Sequence, residues 1–152
     1  MTSRETLLHR TSFALAMVGL VTSGFLAWEY AQGGSIACPV TGNGCDDVRQ
    51  SQFSAVLGIP VPWLGVAYYS SFALIEALHR EFGAYQRVVG RLIVSLAVLG
   101  VVASAWFTYL EAFVIRAWCF WCVVSAGCAV ALLLVATAIE AQQSRSGVGH
   151  ET

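Results

Sequence analysis

Four long stretches almost without charge decide what this chain can fold into. Thr11–Trp28, Leu92–Leu110 and Ala117–Ile139 contain no Asp, Glu, Lys or Arg, and Ile59–Leu78 contains only Glu76. Each is close to the roughly 20 residues that a helix needs to cross the hydrocarbon core of a bilayer. Lipid offers backbone amides no hydrogen-bond partner, so a spanning segment must be a helix or part of a closed barrel. None of the four shows the period-two alternation of barrel strands. The expected fold is an all-α integral membrane bundle of four transmembrane helices. The spans cover about residues 11–31, 59–79, 92–110 and 117–139 of a single domain. Composition agrees, with 57% hydrophobic and 11% charged residues, where ordinary soluble domains carry roughly 25% charge. A soluble domain of this size keeps too much surface in water to hide so much apolar area.

The arginines orient the bundle. With the N-terminus in the cytoplasm, Arg4, Arg10, Arg80, Arg87, Arg91 and Arg145 fall inside, and only Arg49 and Arg116 outside. That distribution satisfies the positive-inside rule and puts both termini in the cytoplasm, as for a multi-pass protein of a bacterial inner membrane. Arg4 and Arg10 could also begin a signal peptide. The apolar stretch after them exceeds the roughly 7–15 residues of a usual signal core, so it reads as an uncleaved span. Glu76 lies near the end of the second span, four residues before Arg80, which predicts an i,i+4 ion pair at the interface. The basic residues form no surface for nucleic acid. The sizeable loop, Glu29 to Gly58, is external in this topology. Asp46 or Asp47 is placed there to cap a short helix from Val48 to about Leu57. Residues 142–152 read as a polar, disordered tail, and no appended soluble domain is expected.

The cysteines follow this topology. Cys119 and Cys122 form a C-x-x-C in Trp118-Cys119-Phe120-Trp121-Cys122 at the outer mouth of the fourth span. Residues three apart share a helical face, about 5–6 Å between Cβ atoms, near disulfide range. The partial positive charge of a helix N-terminus lowers the pKa of a thiol at Cys119. A C-x-x-C alone fits a structural pair or half of a metal site as well as a redox pair. Cys38 and Cys45 bracket Pro39-Val40-Thr41-Gly42-Asn43-Gly44, a turn-rich stretch that can carry a disulfide on a mobile arm. Both pairs thus fall on the side that the arginines alone mark as outer, where disulfides persist. Cys128, deep in the fourth span, reads as a small buried hydrophobe.

Taken together, these residues resemble the vitamin K epoxide reductase family over nearly the whole chain. The pattern comprises the loop pair Cys38 and Cys45, Ser51 six residues further on, and Gly58-Ile59-Pro60-Val61-Pro62-Trp63-Leu64-Gly65 opening the second span. Tyr109-Leu110-Glu111 closes the third span and the C-x-x-C opens the fourth. The resemblance implies a bacterial-type member without a fused thioredoxin-like domain, acting as a quinone-dependent thiol oxidoreductase. A separate thioredoxin-like oxidant outside the cytoplasm would be reoxidised by Cys38 and Cys45. Electrons would pass through a mixed disulfide to Cys119, and Cys122 would reduce a quinone of the ubiquinone or menaquinone type. Ser51 would hydrogen-bond a quinone oxygen, unless it is a plain surface serine of the loop helix. Phe53, Leu57, Trp63, Leu64, Trp118 and Trp121 are candidate walls for the quinone; lipid packing is the alternative for each aromatic. An oxidant near roughly −120 mV needs an acceptor of higher potential than glutathione-like thiols, which a quinone supplies.

Departures from the family narrow the chemistry. The vertebrate enzymes have an asparagine in the second helix and a tyrosine four residues past the C-x-x-C, where this chain has Val61 and Ala126. Their loss weakens epoxide reduction and suits quinone-linked thiol oxidation. The alternatives are reduction of a vitamin K-type quinone or its epoxide by the same relay, and the other four-helix disulfide-forming quinone reductases, whose C-x-x-C lies in the first outer loop. A third is a metal-binding membrane protein with four thiolates, for which the Cys38–Cys45 spacing is long. A fourth is an assembly protein stapled by structural disulfides. No metal is expected.

Overall fold

The computed structural model describes residues 3–36, 38–40, 42–78 and 86–148. The apolar stretches form four long helices, α1 (Ser3–Gln32), α3 (Val61–Leu78), α4 (Gln86–Tyr109) and α5 (Phe120–Val148), with a short α2 (Gly44–Gln50) in the loop after α1. All four long helices are long and apolar enough to cross a membrane, α4 together with the turn that continues it to Ile115. The bundle leaves large apolar side chains pointing outward, among them Val21, Leu99 and Leu134 at 61–66% exposure. Water would not tolerate a belt of that kind, and lipid does.

Helix α1 packs along α3 and α5, and α4 along α5, while α3 and α4 touch much less. The core centres on Tyr69, Phe72, Leu132, Ala16, Ala97 and Ala136, all essentially buried. Small residues allow the close approach, as is usual between membrane helices. The Tyr69 ring occupies the space that a Cβ on Gly19 would need, and Tyr68 does the same opposite Gly100. The Tyr69 hydroxyl donates to the Ser125 carbonyl at 2.8 Å, tying α3 to α5.

Three local expectations change. Helix α2 starts at Gly44, not Val48, with the amides of Asp46 and Asp47 bonded to the Asn43 carbonyl. Neither aspartate is the cap; both sit in the first turn, where acidic charge favours the helix dipole. The Asp46 carboxylate instead accepts the Ile36 amide at 2.9 Å and lies 3.7 Å from Arg49, pinning the loop back on itself. Helix α2 also ends early. Ala55–Val56 pairs antiparallel with Ile59–Pro60, and the two turn residues, Leu57 and Gly58, have φ of 54° and 83°. That left-handed backbone is incompatible with a continuing helix and costs a leucine roughly 1–2 kcal/mol.

The remaining changes lie at the other end of the bundle. Arg80 lies outside the described residues; among those described, Glu76 meets His9 of α1, Oε2 to Nδ1 at 3.1 Å. The polar tail expected from residue 142 is helical as far as Val148, and residues 149–152 lie outside the described set.

Candidate active site

The site begins with an irregular turn. The last turn of α4 widens into a π-helical segment, Leu110–Ile115, and Arg116 then takes a left-handed conformation with φ of 58°. The amides of Arg116 and Ala117 both bond the Glu111 carbonyl. The chain reverses there and enters α5 at Phe120, three residues later than the expected start of the fourth span. Widened turns of this kind occur frequently at functional sites.

Cys119 caps α5. Its carbonyl accepts the Val123 amide at 3.1 Å, and its sulfur accepts the Cys122 amide at 3.4 Å. The sulfur thus plays the part that a serine or aspartate oxygen plays at most helix starts. The Cys119 amide donates to Glu111 Oε2 at 3.1 Å. A Glu111 oxygen and the sulfurs of Cys119 and Cys122 lie within 4.8 Å of one another, with Glu111 and Cys119 both buried. Hydrogen bonding from the Cys122 side chain holds the Cys119 thiol below the ordinary thiol range, helped by the amides of Cys122 and Trp121 and opposed by burial.

The loop pair meets this centre. Cys38 and Cys45 form a disulfide with Cα atoms 6.0 Å apart. Cys45 is 1% exposed and shares a buried cluster with Cys119, Leu26 and Ile36; Cys38, Cys122 and Tyr30 pack at its edge. Cys128 is buried in the core of the bundle, away from this cluster.

A cavity of about 370 Å³ opens where α3 and α4 diverge, and its wall includes Cys45, Cys119, Cys122 and Glu111. Ser51, Phe53 and Leu64 line it, as do Val61 and Ala126. Leu57, Trp63, Trp118 and Trp121 do not. Leu57 stands 98% exposed at the tip of the hairpin. Trp63 is half-exposed on the side of α3 opposite Val61, Pro62, Gly65 and Tyr69, which face the cavity. Trp118 is half-exposed, next in sequence to buried Cys119. Trp121 packs on Phe25 of α1, ring centroids 5.1 Å apart, and against the buried cluster of Cys45 and Cys119. Ser51 closes α2 and gives its hydroxyl proton to the Val48 carbonyl at 2.7 Å, so that proton is engaged within the loop.

Sequence reasoning used Glu111 as a family marker and assigned it no role. The signal was available: it is the first acidic residue after a long uncharged stretch and stands eight positions before Cys119. Ionisable residues inside membrane segments are functional candidates by default. Tyr30, Ser104 and Thr108 also line the cavity, and their patterns carried no such signal.

The sequence is similar to known proteins. The model of the vitamin K epoxide reductase family matches residues 10–137. A thiol-disulfide oxidoreductase of Arabidopsis thaliana, LTO1, is 29% identical over 119 residues, which are 70% of this chain and 30% of that protein. The chain therefore spans about 30% of the length of that relative.

Proposed function

The chain belongs to the vitamin K epoxide reductase family, and from that premise we propose that it is a membrane thiol oxidoreductase carrying electrons from an external thioredoxin-like dithiol to a quinone. The observation that carries this reading is the meeting of both cysteine pairs in one buried cluster beside an apolar cavity. The name of the Arabidopsis relative is in keeping with it.

Accessibility sets the order. Cys38 is the less buried sulfur of the loop disulfide and takes the attack of the partner's thiolate, while Cys45 faces Cys119. The partner leaves as a disulfide and the loop becomes a dithiol. Cys45 then attacks Cys119 of a Cys119–Cys122 disulfide, and Cys38 resolves the mixed disulfide. The resulting thiols of Cys119 and Cys122 give two electrons and two protons to the quinone, forming hydroquinone and restoring their disulfide. Cys122 leaves when Cys45 attacks, and the lowered pKa of Cys119 makes Cys119 the better leaving group when Cys38 resolves the mixed disulfide. A cavity of 370 Å³ is within the size of ligand pockets, and Phe53, Leu64 and Phe107 give it faces suited to a quinone ring. Val61 and Ala126 bring no polar side-chain atom to that wall, which favours quinone over epoxide as substrate. In this reading the cysteine end is extracytoplasmic and both termini are cytoplasmic.

The test is anaerobic reduction of a short-chain ubiquinone or menaquinone analogue by purified protein, with a reduced thioredoxin-like protein as donor. Wild type turns over and Cys122→Ala does not. Cys38→Ala turns over only with a small dithiol that reaches Cys119 directly. Equal turnover by Cys122→Ala, or none by wild type with either quinone, rejects the relay.

A further inference from the structure

We propose that Glu111 is the proton carrier of the thiol–quinone step, a role that rests on the quinone reading above. Oxidation of two thiols by a quinone moves two protons as well as two electrons, and the cavity wall is poor in groups that can carry them. Among the described residues lining it there is no histidine, lysine, arginine or aspartate, and Glu111 supplies the single carboxylate. A Glu111 oxygen lies within 4.8 Å of both sulfurs. Its Oε2 is fixed by the Cys119 amide, so the carboxylate is aimed before substrate arrives. A preoriented base in reach of the thiol that must lose its proton is the geometry that general acid–base catalysis requires.

The step balances as follows. The Cys122 thiol passes its proton to the Glu111 carboxylate, and the sulfur so ionised supplies the electron pair to the quinone. Cys119 closes the disulfide with Cys122 and releases the second proton. Glu111 returns the first proton to one quinone oxygen, the second reaches the other oxygen, and hydroquinone leaves. Glu111 begins and ends as a carboxylate, and no further oxidant or reductant enters.

Other groups face this carboxylate. Cys119 and Cys122 approach from α5, and Tyr30 from α1 is close enough to interact with Glu111, both thiols and Arg49 of α2. Cys45 is held in its disulfide and does not titrate there. A competing structural role for Glu111 exists, because its side chain and carbonyl both hold the turn into α5. Glutamine separates the two: it can still accept the Cys119 amide, and it cannot carry a proton.

The experiment is single-turnover oxidation of the reduced full-length protein in detergent by a short-chain quinone, across pH, in wild type, Glu111→Gln and Glu111→Asp. The exchange rate of Cys119 with a small disulfide is measured on the same samples. Glu111→Gln should slow quinone reduction by about 100-fold or more, flatten its pH profile, and leave Cys119 exchange within a few-fold of wild type. Glu111→Asp, which keeps a carboxyl, should recover at least tenfold of that loss. A Gln variant as fast as wild type with the same pH profile overturns the proposal and leaves the quinone relay standing. Parallel loss of Cys119 exchange in both variants assigns Glu111 to the turn and overturns it too. A wild-type protein that no quinone oxidises rejects the relay itself, and the proton role with it.

Discussion

The bundle buries a glutamate at each end, and the two are held in different ways. Glu76, near the end that holds the N-terminus, is 7% exposed and pairs with His9 across α1 and α3. Neither residue reaches the cavity wall. Glu111, at the cysteine end, is 3% exposed; it accepts the Cys119 amide and lies within 4.8 Å of two thiols. Removing a carboxylate from water is expensive in either place. At the far end a partner on another helix offsets that penalty, and the result is a fixed register between helices. At the cysteine end the neighbours are groups that themselves react, so the same penalty supports chemistry. A buried charge therefore marks function when its surroundings change state in the reaction, and structure when they do not.

The comparison can be tested from its largest consequence down. Cys122→Ala should abolish quinone reduction while leaving the thermal unfolding midpoint in detergent close to wild type. A midpoint that collapses along with activity would make the cysteine end structural too. Glu111→Gln comes next, with the hundredfold loss described above and little change in stability. At the other end the pattern should invert. His9→Ala strands the Glu76 carboxylate and should cost about 3 kcal/mol of stability, read from denaturant unfolding, with Cys119 exchange kinetics unchanged. Adding Glu76→Leu should restore most of that loss, because an apolar side chain no longer needs the partner. If the double variant is no better than His9→Ala, the pair is not what holds that end.

Smaller effects sharpen the chemistry. Because the Cys119 pKa is lowered, its thiolate persists down to that lowered value and is lost only as pH falls through it. Alkylation of Cys119 in the reduced protein should therefore show a midpoint below the roughly 8.5 of a free thiol. Cys122→Ala, which removes the principal hydrogen-bond donor, should move that midpoint upward; an unmoved midpoint would credit the helix start alone. Cys128→Ala, a buried sulfur outside the cysteine cluster, should leave turnover unchanged and cost no more than about 1 kcal/mol.

Much of this molecule was legible in its residues. Uncharged stretches of membrane length allow only helices, because lipid leaves the backbone to satisfy itself, so four helices and the positions of their cysteines followed from local pattern. The spacing of Cys38, Cys45, Cys119 and Cys122, with the motifs around them, was enough to point to the family. What local pattern could not supply was direction around each helix axis. Trp63, Trp118 and Trp121 looked like a quinone wall, yet Trp63 and Trp118 are half-exposed and Trp121 packs on Phe25 and the cysteine cluster outside the cavity wall, while Tyr30, Ser104 and Thr108 turn in. The helix expected to reach Leu57 stops at Gln50, because Ser51 is already extended, and a hairpin with left-handed Leu57 and Gly58 follows.

The chain by itself determined the number of apolar spans and their helical character, since both depend on neighbours in sequence. Only the tertiary structure decided that Glu76 meets His9, that Cys45 packs with Cys119, and that Glu111 stands within reach of two thiols at the edge of a cavity. Those meetings depend on how helices distant in sequence lean on one another, and on a π-helical turn and left-handed arginine that rotate one carboxylate inward. No periodicity along the chain encodes such angles; packing sets them.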